Sequence, residues 1–232
     1  MAEPLHAVTA HSSADPGILL AQGQEDLVVG DELVRFRYYT RVVHWGVALT
    51  FFVCLFTGLP IWTPIFGWLA ALFGGLQVCR WLHPWTGIAF AVFALLQFVH
   101  WAGEMRLSAA DKRFTANFLA YLRWETHDED TGKYNGGQKV LFWLSTLASL
   151  GLLVTGVVLW WPQFFGAQLR EVSWVLHDLT FILFMLMIFG HIYLAIAEPG
   201  TFSAMVKGTV TKAWARLHHP AWYRDVTGDS RR

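Results

Sequence analysis

Four apolar runs interrupt an otherwise polar chain, each about the 20 residues that an α-helix needs to cross a bilayer. They cover residues 42–62, 83–103, 140–161 and 172–197. A fifth apolar patch, 65–78, is shorter and is broken or flanked by Pro64, Gly67, Gly74 and Gly75, so it reads as an interfacial loop rather than a span. The pattern predicts an all-α integral membrane fold, a four-helix transmembrane bundle over 35–205. A polar arm, 1–34, precedes it and a polar tail, 206–232, follows it. The arm lacks the basic start and apolar core of a signal peptide and reads as flexible.

Composition supports a lipid environment. The chain of 232 residues is 55% hydrophobic and 15% charged, against about 25% charged for an ordinary soluble domain. Its mean hydropathy is +0.39. Formal net charge is zero, which removes the general electrostatic case for binding nucleic acid. Lys and Arg set the expected orientation. Fifteen of them lie before the first apolar run (Arg35, Arg37 and Arg41), in the 104–139 loop and in the tail, and only Arg80 and Arg170 lie in the other two loops. The positive-inside bias therefore places both termini in the cytoplasm of a bacterial inner membrane. Trp45, Trp62, Trp85, Trp101, Trp143, Trp160, Trp161 and Trp174 mark the ends of the spans as aromatic belts do.

Two short motifs repeat. Thr57-Gly58 in the first span is echoed by Thr155-Gly156 in the third, and His83-x-x-Thr86 in the second by His177-x-x-Thr180 in the fourth. The echo hints at two related hairpins. A glycine at such a place lets a planar ligand or another helix approach the backbone.

The ten histidines carry the chemistry. His6, His11, His127, His218 and His219 fall outside the spans and read as solvated. The other five sort by depth. With cytoplasmic termini, His83 and His177 sit near the periplasmic ends of their helices, and His44 and His191 near the cytoplasmic ends. His177 and His191 bracket the stretch HDLTFILFMLMIFGH. Fourteen residues span about 21 Å of helix, and about 1400° of rotation comes within about 40° of four turns, so both imidazoles share a face. Each matches a histidine of another helix in depth: His83 with His177, and His44 with His191. Two imidazoles are too few for a zinc site. They suffice for a haem, whose porphyrin supplies the other four nitrogens and whose apolar macrocycle suits a bundle interior. His100 lies about 100° off the shared face and reads as interfacial. The chain has no C-x-x-C-H for covalent haem, and Cys54 and Cys79 are placed too differently to pair.

The segment THDEDTGKYNGGQKV, 126–140, is rich in glycines, amides and lysines. It serves equally well as a cap on the third helix or as a donor set for a ligand with carbonyl oxygens, such as a quinone.

Taken together, RVVHWGV around His44, RWLHPWTGI around His83, GKYNGGQK around Asn135, WVLHDLT and FGHIYLA around His177 and His191, and ARLHHPAWYRD near the end resemble the gamma subunit of respiratory membrane-bound formate dehydrogenases, a dihaem cytochrome b family. The resemblance covers roughly residues 35–226. It implies two b haems with axial pairs His83/His177 and His44/His191. It also implies a menaquinone or ubiquinone site formed by Asn135, Gly137, Gln138 and His191. The partners it implies are an iron–sulfur beta subunit and a molybdenum or tungsten alpha subunit that oxidises formate, in a heterotrimer with room for higher assembly. Arg41 and Arg80 each precede a ligand histidine by three residues, which suits contact with haem propionates. Two other readings stay open on the residues alone: a dihaem subunit of a hydrogenase or another periplasmic oxidoreductase, and a membrane anchor or transporter without haem.

Overall fold

The computed structural model describes residues 23–109, 111 and 131–229. The first 22 residues of the arm, residues 126–130 of the polar loop with His127, and Arg231 and Arg232 lie outside these. The described elements are, in order, strands β1 (Leu27–Val29) and β2 (Glu32–Val34), helix α1 (Tyr38–Trp62), a 3₁₀ helix (Pro64–Phe73), α2 (Leu76–Trp101), α3 (Gly136–Trp160), a 3₁₀ turn (Pro162–Phe164), α4 (Ala167–Ala197), α5 (Thr201–Lys207), β3 (Thr209–Thr211), α6 (Lys212–His218) and α7 (Pro220–Thr227). Helices α1 to α4 are all long and apolar enough to cross a membrane. Each begins four to seven residues before its apolar run, because helical hydrogen bonding continues past the greasy segment until a cap or turn ends it. The 65–78 patch holds the 3₁₀ helix and the first turn of α2. Thr63 caps the 3₁₀ helix, and Gly74 ends it at a φ of 90°.

The chain divides into two compact units. The helical unit comprises Val42–Gly103 and Trp143–Gly190. Its core is an aromatic triad, Phe51 of α1, Phe90 of α2 and Phe184 of α4, with ring centroids 5.2 to 6.3 Å apart. Leu55 joins the triad, and Ala148 and Leu152 of α3 pack on it, so all four helices meet here. Such offset and tilted pairs are favoured by the ring quadrupole. Leu95, Val99, Leu147, Leu183 and Leu186 are exposed although apolar. Outward faces of this kind are unfavourable in water and natural in lipid.

The terminal unit comprises Met1–Arg41, Glu104–Phe142 and His191–Arg232. Part of the segment read from sequence as a flexible arm is built into it. β1 and β2 form an antiparallel hairpin, Leu27 opposite Val34, and β3 adds to β2 with Glu32 opposite Thr211. Gly208, at a φ of 90°, precedes β3, and its carbonyl accepts the Arg35 and Phe36 N–H groups at 2.8 and 3.0 Å. A Cβ there would stand 2.7 Å from the Phe36 carbonyl oxygen, so the joint requires glycine.

Residues 206–229 of the tail are likewise built into it, against the expectation of solvated histidines. His218 and His219 are not solvated. His218 pairs with Glu198 at 3.1 Å. His219 is only 3% exposed and links three segments. Its Nδ1 donates to the Gly132 carbonyl at 2.6 Å, and its Nε2 accepts from the buried Arg35 at 3.0 Å. Arg35 also donates to the Lys133 carbonyl at 2.8 Å and lies over Trp214, 4.9 Å from the ring centroid. Trp222 donates its indole N–H to Asp26 at 2.7 Å. Lys133 completes the knot with ion pairs to Glu25 and Asp26 at 2.6 and 3.1 Å. Burial pushes the Glu25 carboxyl up, but its bonds from Lys133, Thr40 and the Arg37 N–H outweigh this and hold it below its usual range.

Burial, followed by the Arg35 charge, holds the His219 imidazole well below its ordinary value of 6.5. The unfolded chain therefore takes up a proton below pH 6.5 that the folded chain refuses. Stability should fall by up to about 1.4 kcal/mol per pH unit as pH drops below that point, until the folded group itself titrates. Thermal melts of the detergent-purified protein between pH 7.5 and 5.5 should record this slope, and His219→Gln should flatten it. Equal slopes in the two proteins would contradict the neutral, buried state.

Candidate functional site

Two imidazoles meet inside the helical unit. His83 on α2 and His177 on α4 face each other with ring centroids 6.3 Å apart and planes at 70°. Each is gripped by a threonine of the preceding span. Thr57 on α1 donates its hydroxyl proton to the Val53 carbonyl at 2.7 Å, one helical turn back. Its oxygen is then left to accept from Nδ1 of His83 at 3.2 Å, and the Cys54 carbonyl shares the same N–H at 3.1 Å. On α3, Thr155 donates to the Gly151 carbonyl at 2.7 Å and accepts from Nδ1 of His177 at 2.8 Å. The Cys54 carbonyl can only accept, so Nδ1 of His83 carries a proton, and the Thr155 oxygen suits the same tautomer in His177, the one that leaves Nε2 as the ligating nitrogen.

The glycines of the repeated motif sit against the same rings. A Cβ on Gly58 would lie 2.9 Å from Cε1 of His83, and one on Gly156 3.4 Å from Cε1 of His177. What approaches the backbone here is therefore the histidine of the next helix. The short echo marks two like hairpins, α1–α2 and α3–α4, each with a Thr-Gly socket for its own imidazole. The sequence carried this signal, but only the structure links Thr57 and Thr155 to the rings.

Ring centroids 6.3 Å apart would leave room for a metal bonded at about 2.0 Å to each imidazole. Among the described residues, no group of three or more His, Cys, Asp or Glu side chains stands together. The donor set is thus two neutral imidazoles, the set suited to a metal that brings its other ligands with it.

The remaining candidates are placed as follows. His44 is half-buried on α1 and meets Trp45 edge-on at 5.3 Å. His191 is half-buried on α4. His44 belongs to the helical unit and His191 to the terminal unit. His100 tilts against Trp101 at 5.7 Å. Arg41 donates Nη1 to the Val206 carbonyl at 2.5 Å and lies 5.8 Å from the Tyr38 ring. Arg80 is exposed in the second turn of α2. Cys54 and Cys79 are free thiols.

Asn135 and Gln138 form a reciprocal cap on α3. The Gln138 N–H donates to Oδ1 of Asn135 at 2.9 Å, and the Asn135 N–H donates to Oε1 of Gln138 at 3.0 Å. This is the capping-box geometry with amides in both roles. The cap engages the oxygen end of each amide and not the NH₂ end. Gly137 stands between them in the first turn of α3. Gly132 and Lys133, just before this cap, are held by His219 and Arg35.

A model of the prokaryotic cytochrome b561 family matches residues 35–208. The chain belongs to that family. Among curated relatives, it is 37% identical over 200 residues to the formate dehydrogenase cytochrome b556(fdo) subunit of Escherichia coli K12, covering 84% of this chain and 94% of that one. The nitrate-inducible formate dehydrogenase cytochrome b556(Fdn) subunit of the same organism is 35% identical over 198 residues, covering 84% and 91%. The formate dehydrogenase cytochrome b556 subunit of Haemophilus influenzae is 36% identical over 201 residues, covering 83% of each chain. This cytochrome is a multi-pass membrane protein with an electron-transfer role, and its prosthetic group is haem b. The donor set and the backbone cradles at His83 and His177 fit that group.

The cap makes a separate, measurable claim. Asn135→Ala removes the acceptor for the Gln138 N–H and should cost about 1 kcal/mol, whereas Asn135→Asp, which keeps an oxygen there, should cost less. Melting temperatures of the purified variants would check the order, and an Ala variant as stable as wild type would contradict the cap.

Proposed function

We propose that the chain is the membrane cytochrome b subunit of a formate dehydrogenase complex. In this reading it passes electrons from a periplasmic iron–sulfur subunit through two bis-histidine b haems to menaquinone or ubiquinone at the cytoplasmic side. Formate oxidation belongs to a partner subunit that carries molybdenum or tungsten. The facing pair of His83 and His177, each engaged by a threonine at Nδ1, is the observation that carries the haem reading. Three relatives at 35–37% identity, all named as formate dehydrogenase subunits, support the choice of complex. The Lys and Arg asymmetry supports cytoplasmic termini in the inner membrane.

Each haem supplies a one-electron carrier at a depth set by its ligand pair. His83 and His177 would hold one, His44 and His191 the other. The two sockets would orient the first pair through their Nδ1 atoms. Arg80, one turn before His83, and Arg41, one turn before His44, would offer cations to haem propionates. The quinone site would be built from Asn135, Gly137, Gln138 and His191. Amides of this kind can donate to a quinone carbonyl.

The experiment is a haem count with a choice of reductant. The purified complex should contain two b haems per copy of this chain by pyridine haemochrome, reducible by formate and not by hydrogen. His177→Ala should leave one. Gly58→Ala, whose Cβ would press into the His83 ring, should also lower the count, while Gly156→Ala, at ordinary contact distance, should keep two. Two haems retained in His177→Ala would refute the ligand assignment, and reduction by hydrogen alone would refute the choice of complex.

A further inference from the structure

The two histidine sockets are alike in plan and unequal in detail, and the inequality has a functional consequence. Thr57 and Thr155 are both buried, at 0% and 7% exposure. Both lie within hydrogen-bond reach of a carbonyl of their own helix, which takes the hydroxyl proton. Toward a ring that ligates through Nε2 and carries its proton on Nδ1, each hydroxyl oxygen is the acceptor. His83 nevertheless has two acceptors for its Nδ1–H, the Thr57 oxygen and the Cys54 carbonyl. Among the described residues, His177 has one, the Thr155 oxygen, and that bond is shorter, 2.8 against 3.2 Å.

We propose that Thr57 and Thr155 are positioning residues that set the donor strength of the two axial histidines, with Thr155 the dominant one because it alone serves His177. The inference rests on the haem reading of this pair. A hydrogen bond accepted from the far N–H of a ligating imidazole fixes its tautomer and raises its basicity. A more basic ligand stabilises the oxidised iron over the reduced iron and lowers the reduction potential. Removing the Thr155 hydroxyl leaves the Nδ1–H of His177 buried without its acceptor, so the ring loses both orientation and basicity. Removing the Thr57 hydroxyl leaves the Cys54 carbonyl in place. That acceptor is backbone and no side-chain substitution deletes it.

Spectroelectrochemical titration of the purified complex tests this, because it resolves the two haems by potential whether or not turnover survives. Thr155→Val, nearly isosteric, should shift one haem to a more positive potential or weaken its retention by about tenfold or more. Thr57→Val should shift the same haem less, and Thr155→Ser, which restores the hydroxyl, should sit near wild type. Low-spin electron paramagnetic resonance of the oxidised complex should show the ligand change in the same order. Thr155→Ala serves as a second hydroxyl-free variant if the valine disturbs assembly. An unchanged potential in a haem-replete Thr155→Val or Thr155→Ala protein would overturn the proposal, as would an equal or larger shift in Thr57→Val. The haem reading itself fails separately, if His177→Ala keeps both haems.

Discussion

A buried imidazole has two nitrogens, and neither can be left unserved without cost. That constraint organises the helical unit. One nitrogen of His83 and of His177 is served by the protein, through a threonine oxygen held in place by its own helix. The other nitrogen is the one through which a haem would be held. The glycine beside each threonine follows from the same constraint, since the imidazole reaches its acceptor only where no Cβ stands in the way. Sequence, socket and cofactor chemistry are thus linked by three residues, a threonine, a glycine and a histidine, repeated in two hairpins.

The aromatic core is set in the same helical phase. Phe51, Phe90 and Phe184 each follow a span histidine by seven residues, His44, His83 and His177 respectively. Seven residues turn a helix by about 700°, within about 20° of two turns, and advance it by about 10.5 Å. The triad therefore lies on the histidine-bearing faces, two turns further along. On α4, Phe184 falls midway between His177 and His191. The helices use ring packing to hold together at the depth where they offer no ligand. The terminal unit is held by other means. Arg35 and His219 use carbonyls, an imidazole and an indole face to tie the β-sheet, the segment before α3 and the C-terminal helices to one another.

Much of this was legible because long apolar helices write a strong period into the chain. The four spans and the shared face of His177 and His191 follow from length and phase. The cap on α3 was one of two readings of its loop, and the amide pair at 135 and 138 has capping-box spacing. The sheet was hidden for a physical reason. Its strands are three residues long, too short to display alternation, and β3 lies more than 170 residues after β2. His219 was read as solvated because a polar tail gives no sign that Arg35 waits for it 184 residues earlier. Thr57 and Thr155 stood in plain view as an echo, but spacing alone could not say that a hydroxyl on one helix would meet an imidazole on the next.

The central claim is that α4 presents ligands to two separate haems from one face. Insertion of a single alanine between His177 and His191, after Leu183, rotates one ligand by about 100° relative to the other. A pyridine haemochrome count and redox titration of the purified complex should then find one b haem per chain instead of two. Two haems with wild-type potentials in the insertion variant would contradict the account.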